Sequence, residues 1–264
     1  MNYTLSIVLI AKDEESYLEE FVSYHHLLGV DHFYIYDNES TTPIKEVLKN
    51  YADLCTIVDY PGTAAQYSAY THFCKTYGSQ TAWAAFIDTD EFIVLRNQDS
   101  VIDFINEYKS ADAIGLNWVY FGDSYHETKP EGLVIDNFTL CQPGQNNHIK
   151  TIAKPGSIES FGNAHFITMK PGSIYTDVKR NRISGPFNDN EVTDVAQINH
   201  YFSKSKEECI KRYSRKKADT GAVYELTEET LEAWRNSLNQ REDLFIKNKY
   251  AEAVKEMILK RKEK

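Results

Sequence analysis

A run of six apolar residues, Ala82–Ile87, leads directly into Asp88-Thr89-Asp90. A stretch that is apolar at every position, rather than at every second one, is typical of a strand buried on both faces in the middle of a parallel sheet. Carboxylates two residues apart on an extended backbone project to the same side, and α/β sheets bind ligands at the carboxyl ends of their strands. Two acids there repel each other unless a cation lies between them, so the segment predicts a divalent-ion site for a nucleotide diphosphate. The alternative is that both acids cap a turn after the strand.

The first half of the chain alternates short apolar runs with helical patterns, which predicts an α/β fold with a mainly parallel sheet flanked by helices. The predicted strands are Leu5–Ala11, His32–Tyr36, Cys55–Val58, Ala82–Ile87 and Ala113–Tyr120. Helices are predicted at about 13–28, 43–48, 64–77 and 101–108. Asp13 is expected to cap the first of these helices and Gly29 to end it. Thr42 is expected to cap the second, with Pro43 at its first helical position.

The second half of the chain has a different character. Residues 121–199 hold most of the glycines and prolines, between short β-like pieces such as Ala164–Met169. This composition predicts irregular β structure and long loops, where specificity often resides. Ser205 and Glu208 have the spacing of a capping box for a helix through about Lys217, and helices near 227–238 and 243–259 follow.

The charge balance narrows the classes of partner. The chain has 29 Lys and Arg against 39 Asp and Glu, a net charge of −10, so its surface repels nucleic acid and anionic lipid. A nucleic-acid partner is not expected. No apolar run approaches the roughly 18–20 residues that span a bilayer, and nothing resembles a signal peptide, so a soluble cytoplasmic chain is expected. The four cysteines lie well apart, which favours reduced thiols over a zinc or redox site.

A second chemically suggestive cluster surrounds His200. Imidazole suits manganese better than magnesium, so this late histidine is a candidate to complete the coordination begun by Asp88 and Asp90. The alternative is an ordinary, partly buried histidine. Seven basic residues follow in an otherwise acidic chain: Lys204, Lys206, Lys211, Arg212, Arg215, Lys216 and Lys217. They are expected either to hold pyrophosphate or to form a solvated helix face.

Four motifs in this order, Val8–Glu14, Tyr24–Ser40, Phe86–Phe92 and His200–Phe202, resemble bacterial members of glycosyltransferase family 92, which are related to family two. The resemblance covers about residues 4–221. It implies the GT-A fold, a Rossmann-like sheet with an irregular β and loop region for the acceptor and helices at the C-terminus. The implied division is a GT-A-like domain at 1–221 and a helical extension at 222–264 packed on it.

The resemblance also implies a function and its site residues. It implies a transferase that uses Mn²⁺ or Mg²⁺ and a nucleotide-sugar donor, a UDP-sugar, with inversion at the anomeric carbon. The acceptor would be a glycan or glycolipid of bacterial surface-polysaccharide assembly, which leaves room for peripheral membrane contact without a transmembrane segment. The residues that match the metal motif and the late histidine are Asp88, Asp90 and His200. The residues expected to bind the nucleotide are Lys12, Asp13, Asp37, Asn38, Asp88 and Thr89.

Sugar transfer also needs a base to deprotonate the acceptor hydroxyl. Asp123, and after it Glu127, follow the predicted strand that ends at Tyr120, in the region where GT-A enzymes have acceptor loops. Both are therefore candidate catalytic bases, although each is also explained as an ordinary loop residue. The expected contacts to acceptor or phosphate are Trp118, His126 and Lys204.

Two other classes of function compete with the transferase. A haloacid-dehalogenase-like phosphohydrolase also has two aspartates after an apolar strand, but there the pair normally ends the first strand. Here it follows three βα units, and Phe92 stands where that class has Thr or Val. A non-catalytic sugar-binding module would explain the many aromatic residues but not Asp88, Asp90 and His200 together. The metal-dependent transferase therefore accounts for most of the observations.

Overall fold

The structure is a computed structural model that describes residues 2–214, 222 and 226–263. The strands in this part of the chain are β1 Tyr3–Ala11, β2 His32–Asp37, β3 Cys55–Asp59, β4 Thr81–Phe86, β5 Glu91–Leu95, β6 Ala113–Tyr120, β7 Leu140–Cys141, β8 Ile149–Ala153, β9 Ile158–Phe161, β10 Ile167–Met169, β11 Tyr175–Asp177, β12 Ala196–His200 and β13 Arg241–Glu242. The α-helices are α1 Leu18–Leu27, α2 Ile44–Val47, α3 Gln66–Thr76, α4 Val101–Asn106, α5 Val134–Asn137, α6 Lys206–Tyr213, α7 Glu228–Leu238 and α8 Phe245–Lys262.

One large mixed sheet organises these elements, with strand order β3-β2-β1-β4-β8-β6-β12-β5 and β11 beside β6. The first four strands in this order run parallel, and β12 runs parallel to β6. Strand β8 is antiparallel to both of its neighbours, and β5 is antiparallel to β12. The predicted α/β class with a mainly parallel sheet is confirmed. Strands β5, β8 and β12 were not predicted.

Strand β4 lies inside the sheet, and the connection that follows it is short. Four residues, Ile87–Asp90, join β4 to β5, although three other strands lie between these two in the sheet order. In a flat sheet, spacings of about 4.8 Å would put β4 and β5 about 19 Å apart. Instead the chain makes a tight turn in which the Glu91 N–H donates to the Asp88 carbonyl at 3.0 Å. The sheet therefore curls, and this brings β5 and β12 over the carboxyl end of β4.

Both faces of the sheet are covered, which explains strands that are apolar at every position. On β1, Leu5, Ile7 and Leu9 belong to the core shared with α1 and α8, whereas Val8 and Ile10 belong to the core shared with α3. Each face of a strand thus has its own set of apolar neighbours, as the alternation of side chains along a strand requires.

Helix α1 begins later than the sequence predicts. Its first residue is Leu18, and Asp13 has a left-handed backbone with φ 54°. The Asp13 carboxylate accepts the Thr41 N–H at 2.8 Å, so it bonds to a neighbouring loop and the predicted cap is wrong. Gly29 does follow the helix, with φ 107°, and a Cβ there would come 3.1 Å from Ser100 Oγ.

The start of helix α2 is capped by a side chain of strand β2. Pro43 is its N-cap residue and no side-chain cap forms at Thr42, so that prediction is also wrong. The carboxylate of Asp37 accepts the Ile44 N–H and the Ser40 N–H, each at 2.9 Å. A side chain at the end of β2 therefore satisfies the start of the helix, which no local pattern reveals.

The C-terminal helices begin where the sequence predicts. The capping box of Ser205 and Glu208 is present at the start of α6. The predicted continuation through Arg215, Lys216 and Lys217 lies outside the described residues. Helix α8 packs on α1, with the ring centroids of Tyr24 and Tyr250 5.1 Å apart. Within the described residues, no helix has both the length and the apolar character that crossing a bilayer requires.

A buried histidine ties α1 to β5. His25 Nδ1 lies 2.9 Å from the Phe21 carbonyl, and its Nε2 accepts the Ile93 N–H at 3.2 Å. Nδ1 must therefore carry the proton and donate it to the carbonyl. Burial lowers the pKa of His25 to about 3, so the native ring stays neutral.

We expect His25 to make stability depend on pH. The unfolded histidine binds a proton below its ordinary pKa of about 6.5 and the native one does not, so this contribution is complete above pH 6.5 and is lost as the pH falls towards 3. Between pH 7 and pH 5 the wild-type free energy of unfolding should fall by about 2 kcal/mol from this group. Urea denaturation of His25→Gln should lack this part of the slope, while His26→Gln, at the next position of the same helix, should keep it. Equal slopes in all three proteins would contradict the assignment.

Candidate active site

Three buried side chains meet where β5 pairs with β12. The antiparallel register places Glu91 opposite His200, and the Tyr201 N–H donates to the Asp90 carbonyl at 2.8 Å. As a result, one ligand atom from each of Asp90, Glu91 and His200 lies within 4.8 Å of the others. We call this set the acidic triad. Among the described residues it is the one group of this kind with the composition to hold a metal ion.

Asp88 lies beside the acidic triad rather than in it. Its Oδ2 is 2.7 Å from Lys150 Nζ, and its Oδ1 accepts from Gln66 Nε2 at 3.0 Å. The structure therefore brings together Asp90 and His200, as the sequence predicts, with Glu91 as the third member of the group. The sequence signal for Glu91 is its place directly after Asp90 in an unbroken acidic pair. The ligand set that includes Asp88 stays a prediction.

Lys150 is a functional candidate that the sequence analysis missed. It lies on β8 with its side chain 1% exposed, 2.7 Å from Asp88 Oδ2 and 3.4 Å from Glu91 Oε2. A buried charge is costly unless it is paired, so these two carboxylates account for its place in a fully buried strand. That lone lysine within Ile149–Ala153 was the available signal.

Burial and ion pairing give the acidic triad unequal proton affinities. Burial raises the pKa of Glu91 well above its usual value, and Lys150 offsets this only in part. Burial would also raise the pKa of Asp90, but Arg212 on α6 and His200 together hold it well below its usual value. Burial lowers the pKa of His200, so the ring is neutral, the form that binds metals.

The acidic triad fits a divalent cation. Glu91 Oε1 and His200 Nδ1 are buried and have no hydrogen-bond partner, and His200 Nε2 lies 3.4 Å from Asp90 Oδ2. Carboxylate oxygens with an imidazole nitrogen suit Mn²⁺, and a cation would favour the charged form of Glu91 that burial opposes. The unpartnered atoms and the donor types therefore agree on a metal ion.

The expected nucleotide-binding residues gather at the carboxyl ends of β1 and β2, where the register pairs Ala11 with Asp37. Asn38 Nδ2 donates to the carbonyls of Tyr60 and Gly62 at 2.8 and 2.9 Å. Lys12 is exposed, and Thr89, between the two aspartates of the motif, is buried. Because the carboxylate of Asp37 accepts the two loop N–H groups, its effect on a nucleotide would act through the shape of that loop.

The expected bases Asp123 and Glu127 both contact Arg235 of α7. Asp123 Oδ2 lies 2.6 Å from Arg235 Nε, and its Oδ1 accepts from Asn239 Nδ2 at 2.6 Å and from the Tyr125 N–H at 2.9 Å. Glu127 Oε1 is 2.6 Å from Arg235 Nη1. These hydrogen bonds tie both carboxylates to α7, so the contacts favour a structural role in holding that helix. Arg235 had no signal in the local sequence.

The three residues expected at the acceptor or phosphate separate in the structure. The Trp118 ring centroid is 4.2 Å from that of His200, so Trp118 borders the acidic triad. His126 Nε2 is 3.2 Å from a carbonyl at the end of α5. Lys204 Nζ is 3.4 Å from Glu14 Oε2, beside the loop that follows β1.

Sequence comparison identifies relatives. The profile of glycosyltransferase family 92 matches residues 5–238. A glycosyltransferase family 92 protein of Ricinus communis is 27% identical over 217 residues, which are 75% of this chain and 35% of that protein. One of Oryza sativa subsp. japonica is 24% identical over 184 residues, 67% of this chain and 31% of that protein. The chain thus spans about a third of the length of these relatives.

Similar solved structures overlap with part of the chain. Staphylococcus aureus TarS 1–349 in complex with UDP has a TM-score of 0.40 at 12% identity. The matched region covers 58% of this chain and 47% of the TarS chain. Glucosyl-3-phosphoglycerate synthase from Mycobacterium tuberculosis, in complex with Mn²⁺, UDP-glucose and phosphoglyceric acid, has a TM-score of 0.34 at 15% identity. The matched region covers 59% of this chain and 58% of the synthase chain.

The acidic triad makes a prediction about metal affinity. Glu91→Gln should weaken Mn²⁺ binding at least about 10-fold, because it removes the negative charge and replaces one carboxylate oxygen by an NH₂ group without changing the size of the side chain. Asp88→Asn is the matched control and should change the affinity less than about 3-fold, since Asp88 contacts Lys150. Isothermal titration with MnCl₂ in the presence of UDP measures both. A larger effect from Asp88→Asn would restore the metal pair that the sequence predicts.

The contacts of Asp123 make a second prediction. Asp123→Asn and Arg235→Gln remove the same ion pair, so both should lower the free energy of unfolding, by about 1–3 kcal/mol. Each should lower kcat less than about 10-fold. Urea denaturation and steady-state kinetics on both variants provide the test. A loss of about 100-fold in kcat from Asp123→Asn alone, with normal stability, would instead identify Asp123 as the base.

Proposed function

The chain belongs to glycosyltransferase family 92, and from this premise we propose that it transfers a sugar from a UDP-sugar to a hydroxyl of a glycan acceptor with the help of Mn²⁺ or Mg²⁺. The observation that supports the proposal is the acidic triad, three buried side chains beyond the carboxyl end of β4 whose types suit a metal ion. In open α/β sheets this edge is where ligands bind.

The leaving group of such a transfer is a nucleoside diphosphate, on which negative charge grows as the bond to the anomeric carbon breaks. Asp90, Glu91 and His200 would hold the cation, which would supply the positive charge that this leaving group needs. Arg212 extends from α6 to Asp90 and is about half exposed, so it offers further N–H donors beside the same place. Lys150 neutralises part of the charge on the neighbouring carboxylates of Asp88 and Glu91.

The nucleotide would bind beside the acidic triad at the ends of β1 and β2. Asp13 and Asp37 organise the loop around Thr41 through bonds to its backbone. Asn38 holds the segment after β3 by its two bonds to backbone carbonyls. These contacts fix the loops that follow β1, β2 and β3, with the exposed Lys12 beside them. We propose the surface of these loops as the binding site for the base and ribose.

Inversion at the anomeric carbon requires a base near the acceptor hydroxyl. The candidates from the sequence are Asp123 and Glu127, and the comparison of Asp123→Asn with Arg235→Gln separates a base from a structural contact. Of the rival functions, a phosphohydrolase would release inorganic phosphate, whereas a sugar-binding module would show no turnover.

The test is release of UDP from a panel of UDP-sugars supplied with saccharide acceptors. Wild-type protein should release UDP with Mn²⁺ and stop when EDTA is added. Asp90→Asn should lower kcat about 100-fold or more, because the charge that holds the cation is lost. Asp99→Asn makes the same chemical change at a side chain that is 92% exposed and should behave as wild type. Undiminished metal-dependent turnover by Asp90→Asn would refute the proposed site, and phosphate as the product would favour the phosphohydrolase.

A further inference from the structure

We propose that a line of aromatic rings leading from the surface to the acidic triad is the subsite for the acceptor sugar, an inference that rests on the proposed function. The line consists of Phe187, His148 and Trp118, with His165 beside it, and we call it the aromatic line. Its occupant is a pyranose whose C–H face lies on the rings and whose hydroxyls meet the polar ring atoms.

The rings form a continuous path. Phe187 is 53% exposed, and its ring centroid is 4.8 Å from that of His148. His148 stacks on Trp118 with centroids 5.3 Å apart and planes 23° from parallel. Trp118 in turn lies 4.2 Å from His200 of the acidic triad. A sugar bound along these rings would therefore lead to the place where the diphosphate leaves.

The exposed end of the line is held firmly by the backbone. Phe187 and His148 form an isolated antiparallel bridge, and the Asn188 N–H donates to the Asn147 carbonyl at 2.7 Å. An exposed aromatic side chain on a backbone fixed in this way loses little entropy when a ligand covers it. Aromatic rings bind the C–H face of a sugar by the same apolar contact that packs them in cores.

Two polar ring atoms beside this path lack partners. Trp118 Nε1 and His165 Nδ1 are buried without a hydrogen bond, and the two rings are 4.6 Å apart. Burial is the main cause, and the positive charge of Lys150 the second, that lowers the pKa of His165 to about 3, so the ring is neutral. The indole N–H can only donate, whereas a neutral imidazole nitrogen can accept. A hydroxyl serves both needs, since it accepts one bond and donates another.

The order of the strands places this subsite and the proposed nucleotide pocket on opposite sides of β4. The residues proposed for the nucleotide end β1 and β2, on one side of β4. The aromatic line uses β6, the residue before β8 and the loop before β12, on the other side of β4. Donor and acceptor would therefore approach the end of β4, which leads into Asp90, from different sides of that strand.

Saturation-transfer NMR in the presence of Mn²⁺ and UDP tests the proposal with three probes: the methyl β-glycosides of glucose, galactose and N-acetylglucosamine. At least one should receive saturation at its ring C–H protons from wild-type protein. Phe187→Ala should reduce that transfer at least about 5-fold. Tyr125→Ala removes another exposed aromatic side chain, 59% exposed and outside the aromatic line, and should leave the transfer unchanged.

Two further variants separate stacking from hydrogen bonding. His165→Phe and Trp118→Phe keep an aromatic ring and remove the polar atom, so each should weaken binding of the saccharide about 5-fold or more. Melting temperatures check that both variants fold. Affinity for Mn²⁺ and UDP, measured on the same samples by titration calorimetry, should stay within about 2-fold of wild type for Phe187→Ala and His165→Phe.

The outcomes distinguish this inference from the function it rests on. If wild-type protein binds Mn²⁺ and UDP but transfers saturation to none of the three probes, the aromatic line is not a sugar subsite and the proposed function stands. The same conclusion follows if transfer is unaffected by both Phe187→Ala and His165→Phe. If wild-type protein does not bind Mn²⁺ and UDP at all, the proposed function fails and this inference fails with it.

Discussion

The antiparallel pairing of β5 with β12 is the interaction on which the rest of the site depends. It places Glu91 opposite His200, while the tight turn from Asp88 to Glu91 connects this pair to the central strand β4. A slip of one residue in this register would turn Glu91 to the other face of the sheet and dissolve the acidic triad. His25 supports the register from outside, because its ring accepts the Ile93 N–H and so holds β5 against α1.

Several charged side chains are buried beside this strand pairing, and their burial costs folding stability. Lys150 is buried against Asp88 and Glu91, and Arg212 pairs with Asp90. Buried ion pairs contribute little to stability compared with apolar packing, and strongly perturbed carboxylates are typical of functional sites. The two basic side chains neutralise part of the acidic charge, and Glu91 Oε1 stays buried without a hydrogen-bond partner.

The sheet order also sorts the residues that the sequence analysis selected. Lys12, Asp13, Asp37 and Asn38 gather on the side of β1 and β2, whereas Trp118 lies on the side of β6 and β12. Asp123 belongs to neither group, because Arg235 draws it towards α7. The sheet order therefore separates the expected nucleotide residues from Trp118, and His200 on β12 lies on the same side of β4 as Trp118.

Local patterns along the chain were sufficient for those features that depend on neighbouring residues. The apolar run Ala82–Ile87, the strands β1 to β4 and β6, and the capping box of α6 follow from local patterns, and all appear in the structure. Strands β5, β8 and β12 pair with segments far along the chain. The apolar run Phe92–Leu95 was a local signal for β5 that was not used, whereas β8 and β12 interrupt their apolar residues with polar ones. Asp13 and Thr42 were wrongly predicted as caps, because Asp13 accepts the Thr41 N–H of a neighbouring loop and Asp37 of β2 accepts the Ile44 N–H at the start of α2. That Glu91 joins Asp90 and His200 while Asp88 pairs with Lys150 does not follow from any local pattern, because it depends on how a tight turn and a curled sheet orient side chains that are remote in sequence.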